Sequence, residues 1–164
     1  MNTQLNDLIC KMIEYNTHDP KRISHFLKVH TLARLIGEME ALDSDSLFAL
    51  EIAAIVHDIG IKISEKKYGS CGGKLQEKEG PAIAEEMLAG LNFEPKVIER
   101  VCYLVGHHHT YSNIGGMDYQ ILVEADFLVN FYEENHSREI IRAIFDRIFK
   151  TESGRDICRR MYPF

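Results

Sequence analysis

An all-α fold is what the sequence predicts, on three observations. Apolar residues recur three and four positions apart in segment after segment, the spacing of one helix face. Helix-starting residues punctuate those segments at Asp19-Pro20, Asp43-Ser44, Glu94-Pro95 and Ser137. No stretch alternates apolar and polar residues as a half-buried strand does. The 164 residues show no internal repeat and no linker, so a single domain over 1–164 is expected.

The first helix is expected over about 5–15, where Leu5, Leu8, Ile9, Met12 and Ile13 keep helical spacing. Asp19 then suits an N-cap, and Pro20 suits the first turn, where a missing N–H costs nothing. This second helix should run to about Leu42, with Val29, Leu32, Leu35 and Ile36 on one broad face. His25 lies one turn before Val29 and points with that face. His30 is rotated away, towards Arg34 and Gly37. After the turn Asp43–Ser46, a third helix spans about 47–58 and stops at Gly60. Its apolar run Ala53–Val56 delivers His57 and Asp58 side by side. A carboxylate there is costly to bury without a partner, and a cation removes the penalty.

Residues 61–74 carry Lys62, Lys66, Lys67 and Lys74 among Gly69, Gly72 and Gly73. They read as a mobile loop beside the His-Asp pair. It is either a solvated linker or a lid whose lysines meet a phosphate as point charges. A fourth helix follows over about 76–89, with Ile83, Ala84, Met87 and Leu88 inward. Glu79 either leans inward there or stays exposed in the first turn, favoured by the helix dipole. The fifth helix opens at Glu94-Pro95, buries Val97, Val101, Leu104 and Val105, and runs into His107-His108-His109. If helical phase continues, His108 faces inward and His107 is the second choice.

Residues 110–116 are a loop. The helix after it, about 118–132, is apolar nearly all round and should be central. Two acids are embedded in it. Glu124 shares a face with Ile121, Phe127, Leu128 and Phe131; Asp126 shares one with Leu122, Val123 and Val129. Periodicity does not choose between them. Two more helices, from Ser137 and from about 153, hold no ligand cluster and brace the core or a homo-oligomer interface.

The net charge of -6 argues against a surface for nucleic-acid polymers. A small phosphorylated ligand remains compatible, because bound metal adds positive charge that the formal count omits. Cys10, Cys71, Cys102 and Cys158 form no CxxC pair and read as reduced thiols of a cytoplasmic protein. No apolar run is long enough to span a bilayer, and Met1–Asp7 lacks the pattern of a signal peptide.

The chemistry-bearing residues are therefore His25, His57, Asp58, Glu79, His107 to His109, and Glu124 or Asp126. They are nitrogen and oxygen donors without a thiolate. Such a set suits zinc, iron, manganese, cobalt or nickel, and the carboxylates also accept magnesium.

Arg22-Ile23-Ser24-His25, Val56-His57-Asp58-Ile59-Gly60 and Glu124-Ala125-Asp126-Phe127-Leu128 resemble, in order and spacing, the HD superfamily of metal-dependent phosphohydrolases. The resemblance covers about residues 20–130 and implies an HD-domain-like bundle of about seven to eight helices. It implies that His25, His57, Asp58 and Asp126 hold one divalent metal ion, which favours Asp126 over Glu124. Members with two ions use two further histidines. His107 or His108 matches one of them, and Glu79-Gly80 stands where the other would be, so one or two ions per chain are expected.

By the same resemblance, metal-activated water attacks a phosphate ester. Asp58 orients or deprotonates that water, and Lys62, His107 or a loop lysine stabilises charge on the phosphate. Residues 61–64 are Ile-Lys-Ile-Ser, not the Glu-Asp pair of the alarmone hydrolases, and the glycine-tyrosine-proline signature of cyclic-dinucleotide phosphodiesterases is absent. The expected substrate is a nucleotide or another small phosphate ester, mono- or diester. The alternatives are a diiron oxygenase on the same fold and a metal- or nucleotide-binding regulator with little turnover.

Overall fold

Two helices, buried on nearly every side, organise the fold. One is α3 (Ser44–Val56), buried without a break from Ala49 to Val56. The other is α7 (Met117–Glu133), whose Ile121 to Asp126 are all buried. The computed structural model describes residues 3–164; Met1 and Asn2, on which part of the signal-peptide reading falls, lie outside the described residues.

Around the central pair stand α1 (Thr3–Tyr15), α2 (Pro20–Met39), α4 (Ile61–Tyr68), α5 (Gly73–Gly90), α6 (Pro95–Val105), α8 (Arg138–Ile148) and α9 (Glu152–Met161). The described residues thus form nine helices and contain no strand. Helix α2 packs on both α3 and α7, α5 packs on α6, and α6 closes against α3. None of the described helices is long and apolar enough to cross a membrane.

Local chemistry sets most boundaries. The Asp19 carboxylate accepts from Arg22 N, and Pro20 occupies the first position of α2. Asp43 accepts from Asp45 N and Ser46 N, Ser137 from Ile140 N, and Thr151 from Gly154 N. Helix α2 stops at Met39 rather than Leu42, because Ala41 turns into the left-handed region at φ 54°. Its buried face is His25, Phe26, Val29, Ala33 and Ile36, and Leu35 falls outside it, 43% exposed. His30 is half-buried rather than outward, because its Nε2 meets Glu51 Oε1 at 3.0 Å.

The expected loop over 61–74 is mostly not a loop. Residues 61–68 form α4, ended by Gly69 at φ 65°, and only a short connection precedes α5. The stretch Ile61–Tyr68 contains no helix breaker, and its glycines all follow it. Helices α4 and α5 are tied together where Lys67 Nζ and Tyr68 Oη reach Glu79, at 2.6 and 2.7 Å. Gly60 lets α5 cross close behind the His-Asp turn: a Cβ there would stand 2.7 Å from the Gln76 carbonyl oxygen.

Candidate metal centre

Three helices deliver the central residues. His25 is buried in the second turn of α2, His57 caps the end of α3 with no exposed surface, and Asp126 is buried in the middle of α7. Asp58 follows His57 in the turn before α4 and is the most open of the four, its side chain 25% exposed.

Their donor atoms meet. His25 Nε2 and His57 Nε2 lie 3.1 Å apart. Asp58 Oδ2 stands 3.3 Å from the first and 3.4 Å from the second. Asp126 Oδ1 stands 3.2 and 3.5 Å from them. Donors about 2.0–2.2 Å from a divalent ion lie about 2.9–3.5 Å from each other in octahedral or tetrahedral sites, and these separations match.

The outer face of each imidazole sets its tautomer. His57 Nδ1 donates to the Ala54 carbonyl at 2.9 Å, and His25 Nδ1 donates to Glu133 Oε2 at 2.9 Å. A carbonyl or carboxylate only accepts, so in the neutral ring the proton sits on Nδ1 and the Nε2 lone pair faces the cluster. Two such lone pairs 3.1 Å apart repel unless a cation or a proton lies between them. The residues therefore fit a divalent ion.

The electrostatics point the same way. Burial opposes charging His57, yet the Asp58 and Asp126 carboxylates hold its pKa well above the ordinary value. Burial likewise opposes charging His25, and Asp126, with Asp58 beside it, raises its pKa. Burial alone would raise both carboxyls. For Asp58, His57 and His108 more than reverse this and hold it well below the usual range; for Asp126, His25 and His57 do the same. Carboxylates and imidazoles thus favour each other's charged forms across the cluster.

A second group adjoins the first through Asp58. Its Oδ1 faces His108 Nε2 at 3.5 Å. His108 is buried, its Nδ1 donates to the Val105 carbonyl at 2.8 Å, and its Nε2 has no hydrogen-bond partner. Asp58, His108 and His109 offer ligand atoms within 4.8 Å of one another. Burial, with His108 beside it, pushes His109 down to about 4, so it is neutral at pH 7.

The other expected site residues are not brought to the cluster. Glu79 is engaged by Lys67 and Tyr68 and belongs to neither group. Gln76, one turn earlier on α5, comes closer, its Oε1 3.2 Å from His109 Nε2. His107 turns away: its Nδ1 donates to the Tyr103 carbonyl at 2.7 Å and its ring stacks on Tyr103. Helical phase misplaces it because α6 ends at Val105, and Gly106 begins a turn in which His109 replaces His107 at the site. The Gly106 before the histidines was the available signal. Lys62 donates to the Tyr15 carbonyl at 2.7 Å and lies over its ring, making no contact with the cluster.

Glu124 has other work. Its Oε1 accepts from Gln120 Nε2, Lys150 N and Thr151 N at 2.7, 2.7 and 3.0 Å. Its Oε2 accepts from Thr151 Oγ1 at 2.5 Å. Glu124 thus ties α7 to the turn between α8 and α9. The sequence reading missed Asn130, whose Nδ2 donates to Asp126 Oδ1 at 3.0 Å, and Glu133. Both lie on the Asp126 face of α7, at i+4 and i+7, and that spacing was legible. Two surface cavities, of about 1060 and 570 Å³, include none of the cluster residues.

A search of curated proteins found no match. A family model described as "HD domain" matches residues 22–151. Among solved structures, a predicted HD superfamily hydrolase from an uncultured Thermotogales bacterium is similar, with 25% identity and a TM-score of 0.68. The match covers 96% of this chain and 84% of that one. With the matched stretch spanning every residue of the central cluster, the chain belongs to the HD domain family, part of a superfamily of metal-dependent hydrolases.

Proposed function

We propose that the protein is a metal-dependent phosphohydrolase acting on a nucleotide or another small phosphate ester. The observation that carries this reading is the meeting of His25, His57, Asp58 and Asp126 at separations suited to one ion, with only Asp58 substantially exposed. His25, His57, Asp58 and Asp126 would hold that ion, and Asp58, His108 and His109 are the set for a second. When bound, the metal supplies a Lewis acid for a phosphoryl oxygen and lowers the pKa of water.

Asp58 is placed on the open side to orient water and accept its proton. His108 is turned by its bond from Nδ1 to the Val105 carbonyl so that its Nε2 faces Asp58. Tyr111 packs against Phe127 beside His109 and offers an aromatic surface of the kind a nucleobase stacks on. The net charge of -6 favours a small substrate over a nucleic-acid polymer.

The test combines metal analysis with turnover. Purified protein reconstituted with manganese, cobalt or magnesium is assayed on nucleoside mono-, di- and triphosphates and on a generic phosphodiester. The expected result is bound metal and metal-dependent hydrolysis that disappears in a folded Asp58→Ala variant. Metal binding without turnover across the panel would favour the regulator. Oxygen consumption by the iron-loaded protein would favour the oxygenase. Full turnover in Asp58→Ala would remove Asp58 from the reaction.

A further inference from the structure

Three of the four imidazoles of the two groups, those of His25, His57 and His108, are fixed by different means. His57 and His108 stand just past the ends of α3 and α6. The last carbonyls of a helix lack an intrahelical partner. Ala54 and Val105 supply such carbonyls, and each receives the neighbouring Nδ1–H. These two orientations are built into the local backbone. His25 sits in the interior of α2, where the carbonyls of the preceding turn already take helix bonds. Its Nδ1 acceptor has to come from elsewhere in the fold.

It comes from Glu133, the last residue of α7. Glu133 Oε2 accepts from His25 Nδ1 at 2.9 Å, and Oε1 accepts from Lys28 Nζ at 2.5 Å. The Glu133 side chain is only 12% exposed, so the carboxylate is held on both sides. His25 and Lys28 are one turn apart on α2, and Asp126 and Glu133 are two turns apart on α7. The packing of α2 on α7 therefore aligns both a ligand with a ligand and an orienting pair with the first of them.

We infer that Glu133, anchored by Lys28, is a positioning residue that holds His25 with its Nε2 lone pair turned to the ion. The inference rests on the metal-centre reading, and its test separates the two. In metal-free full-length protein, at a pH high enough that the rings are neutral, long-range ¹⁵N–¹H NMR of the histidine rings reports which nitrogen carries the proton. Manganese affinity is then measured by competition with a chelator.

His25 is expected as the Nδ1–H tautomer in the unmodified protein. In Glu133→Leu it loses that fixed tautomer, His57 keeps its own, and manganese affinity falls about 10–100-fold, the usual cost of losing an orienting partner. Glu133→Gln retains an acceptor oxygen and recovers part of both. The unchanged His57 signals show that each variant is folded. Wild-type affinity in Glu133→Leu, or an unaltered His25 tautomer there, would overturn the inference. So would Glu133→Gln behaving no better than Glu133→Leu. If the unmodified protein binds no manganese at all, the metal-centre reading fails, whatever the tautomer.

Discussion

Glu124 and Asp126 lie two residues apart on α7, both are acids, and both are buried, yet their removal should have opposite consequences. Glu124→Ala takes the acceptor away from Lys150 N and Thr151 N, two backbone donors between α8 and α9. An orphaned buried donor costs about 1–3 kcal/mol. The bond from Thr151 Oγ1 is lost as well, and with it part of the support for the cap of α9. The lysine amide is only part-buried and recovers some of its loss from water, so the expected total is about 3–4 kcal/mol. That is a large share of the stability of a domain of this size. The spared oxygen of Glu124→Gln should roughly halve the loss.

Asp126→Asn keeps its shape and its neighbour Asn130, but it removes a charge facing His25 and His57. Imidazoles whose proton the carboxylates hold can answer by giving it up, so metal-free stability should change by only about 1–2 kcal/mol. Manganese affinity should fall by more than the roughly 100-fold upper range of an outer-shell loss. Urea unfolding of metal-free protein at pH 8, followed by far-UV circular dichroism, measures the first quantity; chelator competition measures the second. The reasoning is refuted if Glu124→Ala unfolds like the unmodified protein, or if Asp126→Asn retains its affinity.

Gly154→Ala should destabilise by about 2–4 kcal/mol in thermal melts, because its methyl would overlap Glu124 Oε2 and approach Thr151 Oγ1 to 2.6 Å; an unchanged melt contradicts the packing described. Glu79→Ala and His107→Ala should leave metal stoichiometry unchanged, since neither residue reaches the cluster, whereas loss of an ion in either would restore it as a ligand. The pH dependence follows from the signs of the shifts. Asp58 and Asp126 are held below the ordinary carboxyl range, so their contribution exists above about pH 4 and is lost as pH falls through their folded values. His25 and His57 are held above the ordinary imidazole value, so theirs is full below about pH 6.5 and is lost as pH rises through the raised values. Metal-free protein should therefore be most stable between about pH 4 and 6.5, and manganese, which displaces those protons, should bind more tightly and stabilise more as pH rises above that window. Melts with a chelator and with manganese across this range check it, and identical profiles would contradict it.

The helical fold was legible because the apolar spacing and the caps agree. Asp19-Pro20, Asp43 and Ser137 start helices for the side-chain reasons their types suggest. Helix α4 was hidden because four lysines and three glycines between residues 61 and 74 resemble a linker, although the glycines all follow Tyr68. Periodicity brought out His25 and the embedded pair Glu124 and Asp126, but it was blind to what lies opposite each acid. The turn between α8 and α9 that engages Glu124 is 26 residues away in the chain. His107 was favoured over His109 because helical phase was carried past Gly106, where the helix had ended. Lys62 was favoured for its closeness in sequence to Asp58, and its ammonium reaches back to α1 instead. Glu133 escaped notice because a charged residue at a helix end reads as solvated, and its partner lies 108 residues away on α2.

The most direct test is anomalous diffraction from crystals of manganese-loaded protein, collected on either side of the manganese edge. The account predicts a peak among His25 Nε2, His57 Nε2, Asp58 Oδ2 and Asp126 Oδ1, within bonding distance of all four. A peak elsewhere, or none at that position in crystals with full manganese occupancy in solution, would contradict it.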